Sequence, residues 1–455
     1  MPSQSELRPW ETLREIVHSG NPQVLEKYVE SLNPGEALRA MFRLDREDQG
    51  LVLTMLSPTD AAELVDGIPD EHAADIIERL TASDAAAILN EMNSDDQADV
   101  LGEMDRRDAE AILAEMEPSE ARGARHLLAY AEDRAGGLMI TEFVALPERT
   151  IAGDAIKELG RLSEADEEYY TQHVYVVSDG GRLIGVVALN KLVQKRQDTR
   201  IDEIMSVSPF VPPDMSLEDL EEFLEKHDLA AVPVIDDNVR LIGLVTGDAV
   251  AEALAARAET DLMKMQGIVG GDEIRSMPLL RRSGRRLSWL SINIVLNLMS
   301  ASVIALYADT VQAVIALAVF LPIVSDMSGC SGNQAVAVSL RELALGIVKP
   351  FEFVRVWLKE SSVGLINGAA LGVLLGCVAW LWKGNPYLGL VVGGALFLNT
   401  IVAVSVGGVV PLLLKRFQVD PAVASGPILT TVTDMCGFFL VLSLATAMLP
   451  FLALD

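Results

Sequence analysis

Asp420-Pro421-Ala422-Val423-Ala424-Ser425-Gly426-Pro427-Ile428-Leu429-Thr430-Thr431-Val432-Thr433-Asp434-Met435-Cys436-Gly437 is the stretch around which the chain is organised. From Ile428 it is apolar enough to span a bilayer, yet it carries a carboxylate at Asp434. An Asp at mid-membrane costs about 2.5 to 3.5 kcal/mol even on conservative insertion scales, so such a group faces a bundle interior or an aqueous path. Thr430, Thr431 and Thr433 supply oxygens beside it, and Gly426 and Gly437 allow close helix approach. Asp434 therefore reads as part of a cation path; the alternative is an acid that caps or glues two helices.

Outward from this stretch lie five hydrophobic runs, about 287–307, 311–338, 361–382, 387–414 and 427–452. Each exceeds the roughly 20 residues that cross a membrane. Arg281, Arg282, Arg285 and Arg286 precede the first run; Arg341, Lys349, Arg355 and Lys359 follow the second; Lys415 and Arg416 follow the fourth. The other two loops hold only Asp309 and Lys383. Cytosolic loops collect Lys and Arg, so the amino terminus is expected in the cytosol and the carboxyl terminus outside, in the plasma (inner) membrane. The polar start, Met1–Glu6, has no signal-peptide core, which agrees.

The second run is interrupted by Ser325-Asp326-Met327-Ser328-Gly329-Cys330-Ser331-Gly332-Asn333-Gln334 after Pro322. Irregular backbone lining a cavity, with carbonyls facing a cation, is one expectation; close helix packing through small residues is the other. At about 1.5 Å per residue, Asp326 lies about 22 Å from the outer end of its run and Asp434 about 11 Å from the inner end of its own. In a core of about 30 Å these depths nearly coincide, and both carboxylates are expected to neighbour one path in its inner half.

Upstream the composition changes. Of the net charge of −29, residues 287–455 contribute almost nothing, with seven Lys/Arg against eight Asp/Glu; residues 1–286 hold 29 basic and 57 acidic groups. Such a body repels nucleic acid and attracts cations, although dispersed acids also serve simply as a solvated surface. Over 21–128 a period of twelve runs from Asn21 through Asn33, Asp45, Ser57, Pro69, Thr81, Asn93 and Asp105 to Glu117. Most of these are helix N-caps, and Glu36, Asp48, Asp60, Asp84, Asp96, Asp108 and Glu120 three residues later suit a capping box. Apolar columns such as Val52, Leu64, Ile76, Ile88, Val100 and Ile112 imply one short helix per unit, stacked into a solenoid.

Between these parts, His173–Val177 with Leu183–Val187, and Ala231–Ile235 with Leu241–Val245, read as two strand pairs, with helices at Ile151–Arg161 and Ser216–Lys226. Two such copies about 60 residues apart resemble a tandem CBS pair, beginning near Met139 and Met205. Ala249–Gly270 reads as a helix leading to the first run. CBS pairs that bind adenine nucleotides hold ribose with an acid three residues after a Ser or Thr; Ala188 with Lys191, and Thr246 with Ala249, offer no such carboxylate. Nucleotide binding is therefore not expected to be strong, and dimerisation or sensing is.

The fold class that follows is a multidomain membrane protein: an all-α helical-repeat domain (1–130), an α/β tandem CBS pair (139–200 and 201–258), a connecting helix with a basic linker (249–286), and a five-helix transmembrane bundle (287–455). This order, with Gly332-Asn333-Gln334 after Pro322 and Pro-x-x-Thr-Thr-x-x-Asp from Pro427 to Asp434, resembles the MgtE family of magnesium channels and transporters. The resemblance implies a homodimer in membrane lipid that carries hydrated Mg2+ into the cytosol. It implies a pore with Asp434 as the ion-binding carboxylate, and Asn333, Gln334, Gly332, Thr430, Thr431, Gly437 and Asp326 around it. It further implies a gate that closes when cytosolic Mg2+ bridges acids, matched here by Asp95, Asp99, Glu218, Asp228, Glu252, Asp261 and Asp420, with the connecting helix as plug. Ser216, Ala249, Arg257 and Thr260 stand where the family has acids, and Cys330 where it usually has Asn. The first four exchanges predict a gate less sensitive to Mg2+, or one tuned by a different signal, and Cys330 bears on ion selectivity.

Competing readings are a carrier of another divalent cation (Co2+ or Mn2+) and a non-conducting membrane sensor of a ligand. An enzyme is not expected: there is no P-loop or nucleophile elbow, and His18, His72, His126, His173 and His227 are scattered. Cys330, Cys377 and Cys436 have no metal-ligand spacing.

Overall fold

The computed structural model describes residues 8–164, 170–227, 229–268, 273, 275 and 277–452. Two compact units divide after Ala256.

The first unit opens with the repeats. Helices α1 (Pro9–Ser19), α2 (Pro22–Glu30), α3 (Pro34–Met41), α4 (Arg46–Met55), α5 (Pro58–Asp66), α6 (Asp70–Ile77), α7 (Ala82–Leu89), α8 (Ser94–Gly102), α9 (Arg106–Glu115) and α10 (Glu120–Leu127) follow the twelve-residue period. Asn21, Asn33, Asp45, Ser57 and Thr81 each accept a backbone N–H of the first turn, because a helix start leaves those donors without intrahelical partners. The full capping box closes at Asn33 and Glu36. In the last unit the helix starts at Glu120 rather than just after Glu117, because Pro118 and Ser119 take up the turn. Each helix packs against the next but one, α4 on α6, α5 on α7, and so to α8 on α10. That stacking buries the columns predicted from sequence in one continuous core, Val52, Ile76, Ile88 and Ile112 among them.

The CBS pair follows. Strands β1 (Phe143–Pro147), β2 (Tyr170–Val177) and β3 (Leu183–Ala188) form one sheet, β1 parallel and β3 antiparallel to β2. In the second copy β4 (Ala231–Ile235) pairs antiparallel with β5 (Leu241–Thr246), and a bridge from Val211 to Val234 stands where β1 stands in the first. Between them lie α11 (Ala152–Glu164), α12 (Leu189–Gln194) and α13 (Leu217–His227). The leading segments are exchanged. Ile140 bonds to Leu244 of the second copy, and Ser206 bonds to Val186 of the first. A Cβ on Gly243 would sit 2.5 Å from Met139 Sδ, and one on Gly185 2.8 Å from Met205 Sδ. Each methionine is thus seated on a position that only glycine leaves open.

The connecting helix α14 (Gly247–Met265) ends earlier than the expected Gly270. Gly267, at φ 79°, takes the left-handed conformation that stops a helix, with Gly267 and Ile268 N–H returning to Lys264 and Met263. Residues 269–270 lie outside the described residues.

The second unit holds α15 (Leu279–Leu306), α16 (Ala308–Ala313), α17 (Leu317–Ala344), α18 (Phe353–Lys383), α19 (Pro386–Arg416), α20 (Pro421–Ala447) and α21 (Leu449–Leu452). Helices α15, α18, α19 and α20 are long and apolar enough to cross a membrane; among the described residues these are four, not the five expected. The fifth long helix, α17, falls short because Ser325, Asp326, Ser328, Ser331, Asn333 and Gln334 dilute its apolar run. It is nevertheless a continuous helix through Pro322 and Gly332, so the expectation of broken backbone there is not met. Helix α19 is the hub, contacting α17, α18 and α20. Against α18 it packs through glycines: a Cβ on Gly372 would lie 2.6 Å from Gly393 O, and one on Gly376 2.9 Å from Gly389 O. Gly384, at φ 74°, and the Asn385 cap make the tight turn between these two helices.

Candidate functional site

The apolar bundle contains a polar knot. Ser325 on α17 donates to Asp434 Oδ1 on α20. Asp326 is exposed on the next position of α17, within electrostatic reach of Asp434. Ser328, one turn along α17, donates to Val324 O and Ser325 O of its own helix and accepts from Asn399 Nδ2 on α19. The same amide nitrogen donates to Thr433 O at 3.0 Å. Ser328 and Asn399 are wholly buried, and Asp434 is half-buried.

The other residues singled out from sequence divide into two groups. Gly332 and Gly437 are spacers: a Cβ on Gly332 would meet Leu429 at 2.8 Å and Ala403 O at 3.0 Å, and one on Gly437 would meet Asn399 Nδ2 at 2.8 Å. Asn333, Gln334 and Thr430 are exposed. Thr430 and Thr431 hydroxyls donate to Gly426 O at 3.0 Å and Pro427 O at 2.7 Å, which leaves their lone pairs to accept. On α17, Asp326, Cys330 and Asn333 fall on one exposed face, while Ser325, Ser328 and Ser331 turn inward. Ser325, Ser328 and Asn399 were not singled out from sequence. The available signal was Asn399 itself, an amide in the middle of an apolar run, which needs partners to be buried.

Among the described residues no three Asp, Glu, His or Cys side chains converge to hold a metal ion. A carboxylate, hydroxyls and an amide suit instead a hard cation that keeps part of its water shell.

A second cluster lies in the first unit. Asp95 on α8 feels Glu142 and Asp66; Asp99 feels Asp70, Glu132, Asp95 and Glu103; Asp70 feels Glu132 and Glu252. Burial first, and then the backbone N–H groups and neighbouring charges, set the balance: the Asp95 carboxyl is pushed up to about 6 and that of Asp99, by burial and then Asp70, up to about 8. Asp96 is raised as well, by burial and then by the charges of Asp95 and Asp66. Of the acids named from sequence as ion-binding, Asp95, Asp99 and Glu252 thus gather here, together with Asp96, read there only as a capping residue, and Asp66, Asp70, Glu132 and Glu142, which were not named. Glu218 stands in the first turn of α13.

In the second unit Asp420 caps α20 through Ala422 N–H at 2.8 Å and pairs with Lys264 Nζ at 3.3 Å. Asp261 lies beside it, its carboxyl raised by burial and by the Asp420 charge, while Arg257 and Lys264 act the other way. Asp228 lies outside the described residues.

Family models match along the chain: the MgtE intracellular N domain at 14–133, CBS domains at 135–198 and 201–256, and the MgtE divalent cation transporter at 321–444. The magnesium transporter MgtE of Thermus thermophilus is 34% identical over 444 residues, 96% of this chain and 98% of that one. The Bacillus subtilis magnesium transporter MgtE is 32% identical over 332 residues, 72% of each chain. A crystal structure of the cytosolic domain of the Mg2+ channel MgtE in complex with ATP has 30% identity and a TM-score of 0.49, covering 54% of this chain and 99% of its own. Matched across its length in this way, the chain is a multi-pass membrane protein that belongs to the MgtE family.

Proposed function

We propose that this chain carries Mg2+ into the cytosol along a path that passes Asp434, and that the acidic first unit gates it. The observation that carries the proposal is Asp434 itself: an intramembrane carboxylate bonded by Ser325, with no basic side chain paired to it among the described residues. An acid at that depth is retained where a cation compensates it. Relatives named magnesium transporters, one of them matched over 96% of this chain, favour Mg2+ over Co2+ or Mn2+, and a transporter over a sensor or an enzyme.

The exposed polar face of α17, with Asp326, Cys330, Asn333 and Gln334, supports a homodimer, since such groups at membrane depth call for cover by protein or water. The charge pattern supports a cytosolic amino terminus and an outer carboxyl terminus. In the CBS pair, Lys191 and Ala249 hold the places from which an acid would reach ribose, and neither carries a carboxylate; we infer weak nucleotide binding.

Flux into liposomes tests the proposal. Asp434→Ala is expected to abolish Mg2+-selective uptake; uptake and ion preference equal to wild type would refute it.

A further inference from the structure

Asn399 is buried in the bundle, and its orientation follows from its neighbours. Ser328 spends its hydroxyl proton on Val324 O and Ser325 O, so only lone pairs remain for Asn399. Thr433 O is likewise an acceptor only. Both contacts require the NH2 group, which leaves Oδ1 buried with no partner among the described residues. That arrangement is costly, since a buried acceptor left unbonded loses its hydration. It persists beside a glycine, Gly437, whose Cβ would otherwise lie 2.8 Å from the same nitrogen. The two acceptors flank the Ser325–Asp434 contact: Ser328 is one turn from Ser325, and Thr433 directly precedes Asp434.

We infer that Asn399 is a positioning residue for cation permeation: from α19 its amide clasps α17 and α20 and so fixes where the Asp434 carboxylate meets the path. The inference rests on the proposed role of Asp434. A single rigid donor pair sets two helices at one level, whereas apolar packing alone allows small slides and rotations. Misplacing the carboxylate alters how a hydrated ion is held more than it alters the fold.

The test uses the full-length protein in liposomes and in detergent. Asn399→Leu keeps the shape and removes the donors. Val441→Ala, a wholly buried core position of α20, serves as a control for lost stability. For Asn399→Leu, the Mg2+ concentration for half-maximal flux is expected to rise about tenfold, the worth of one or two such bonds, with a reduced Mg2+/Ca2+ flux ratio. Val441→Ala is expected to lower the melting temperature and leave both readouts at wild type. Gly437→Ala, which pushes on the same amide, is expected to reproduce the Asn399→Leu shift and covers failure of that variant to fold. If Asn399→Leu and Gly437→Ala change only the melting temperature while Asp434→Ala abolishes selective flux, the clasp inference falls alone. If Asp434→Ala behaves as wild type, both readings fall.

Discussion

Asp434 and Ser325 form the contact on which permeation is proposed to turn, and each can be tested separately. A hydrogen bond to an ionised group is worth about 1.5–3 kcal/mol. Ser325→Ala is therefore expected to shift the Mg2+ dependence of flux by about tenfold or more, without abolishing transport as Asp434→Ala does. Measuring flux against external Mg2+ checks this; an unchanged curve would mean that the hydroxyl is a helix tie only. At this scale the sequence was informative where chemistry is costly. Asp434 stands out in an apolar run because a charge there needs a reason. Asn399 did not, because one neutral amide among Val, Leu and Thr has no periodicity and its partners come from helices 71 and 34 residues away. The acids of the first unit were harder still: a capping Asp and a clustered Asp look alike until the solenoid brings Asp66, Asp96 and Asp99 together.

Among the elements, the twelve-residue repeat was readable almost helix by helix, since each cap and each apolar column is local. Helix α17 was located but its backbone misjudged, because serines and glycines inside an apolar run suggest either a break or a packing seam. The inward turn of Ser325, Ser328 and Ser331 identifies the seam. The hub role of α19 was also missed, since its sequence is as uniformly apolar as a lipid-facing span. Its glycines explain the difference: they let α18 approach backbone to backbone. Gly372→Val is expected to destabilise the protein in detergent by about 1–3 kcal/mol or more, since the added Cβ has backbone in its way rather than a mobile side chain. Thermal melting checks this, and a melting temperature equal to wild type would show that α18 can shift to make room.

For the molecule as a whole, the crowded acids of the first unit are expected to make stability depend on pH and, if they bind a cation as proposed, on divalent ions. A carboxyl raised in the fold contributes stability at low pH that is lost as pH climbs from the ordinary 3.8 through about 8, the level of Asp99. A cation that binds the ionised cluster offsets that loss, so Mg2+ is expected to raise the melting temperature more at about pH 8 than at about pH 5. A gain independent of pH, in melts of the full-length protein, would move Mg2+ sensing away from Asp95 and Asp99. The exchanged methionines of the CBS pair have a consequence of their own. Because Met139 rests on Gly243 and Met205 on Gly185, neither half owns the lid of its own sheet. Excising one half would strip the other of its opening segment, so neither copy is a self-contained part.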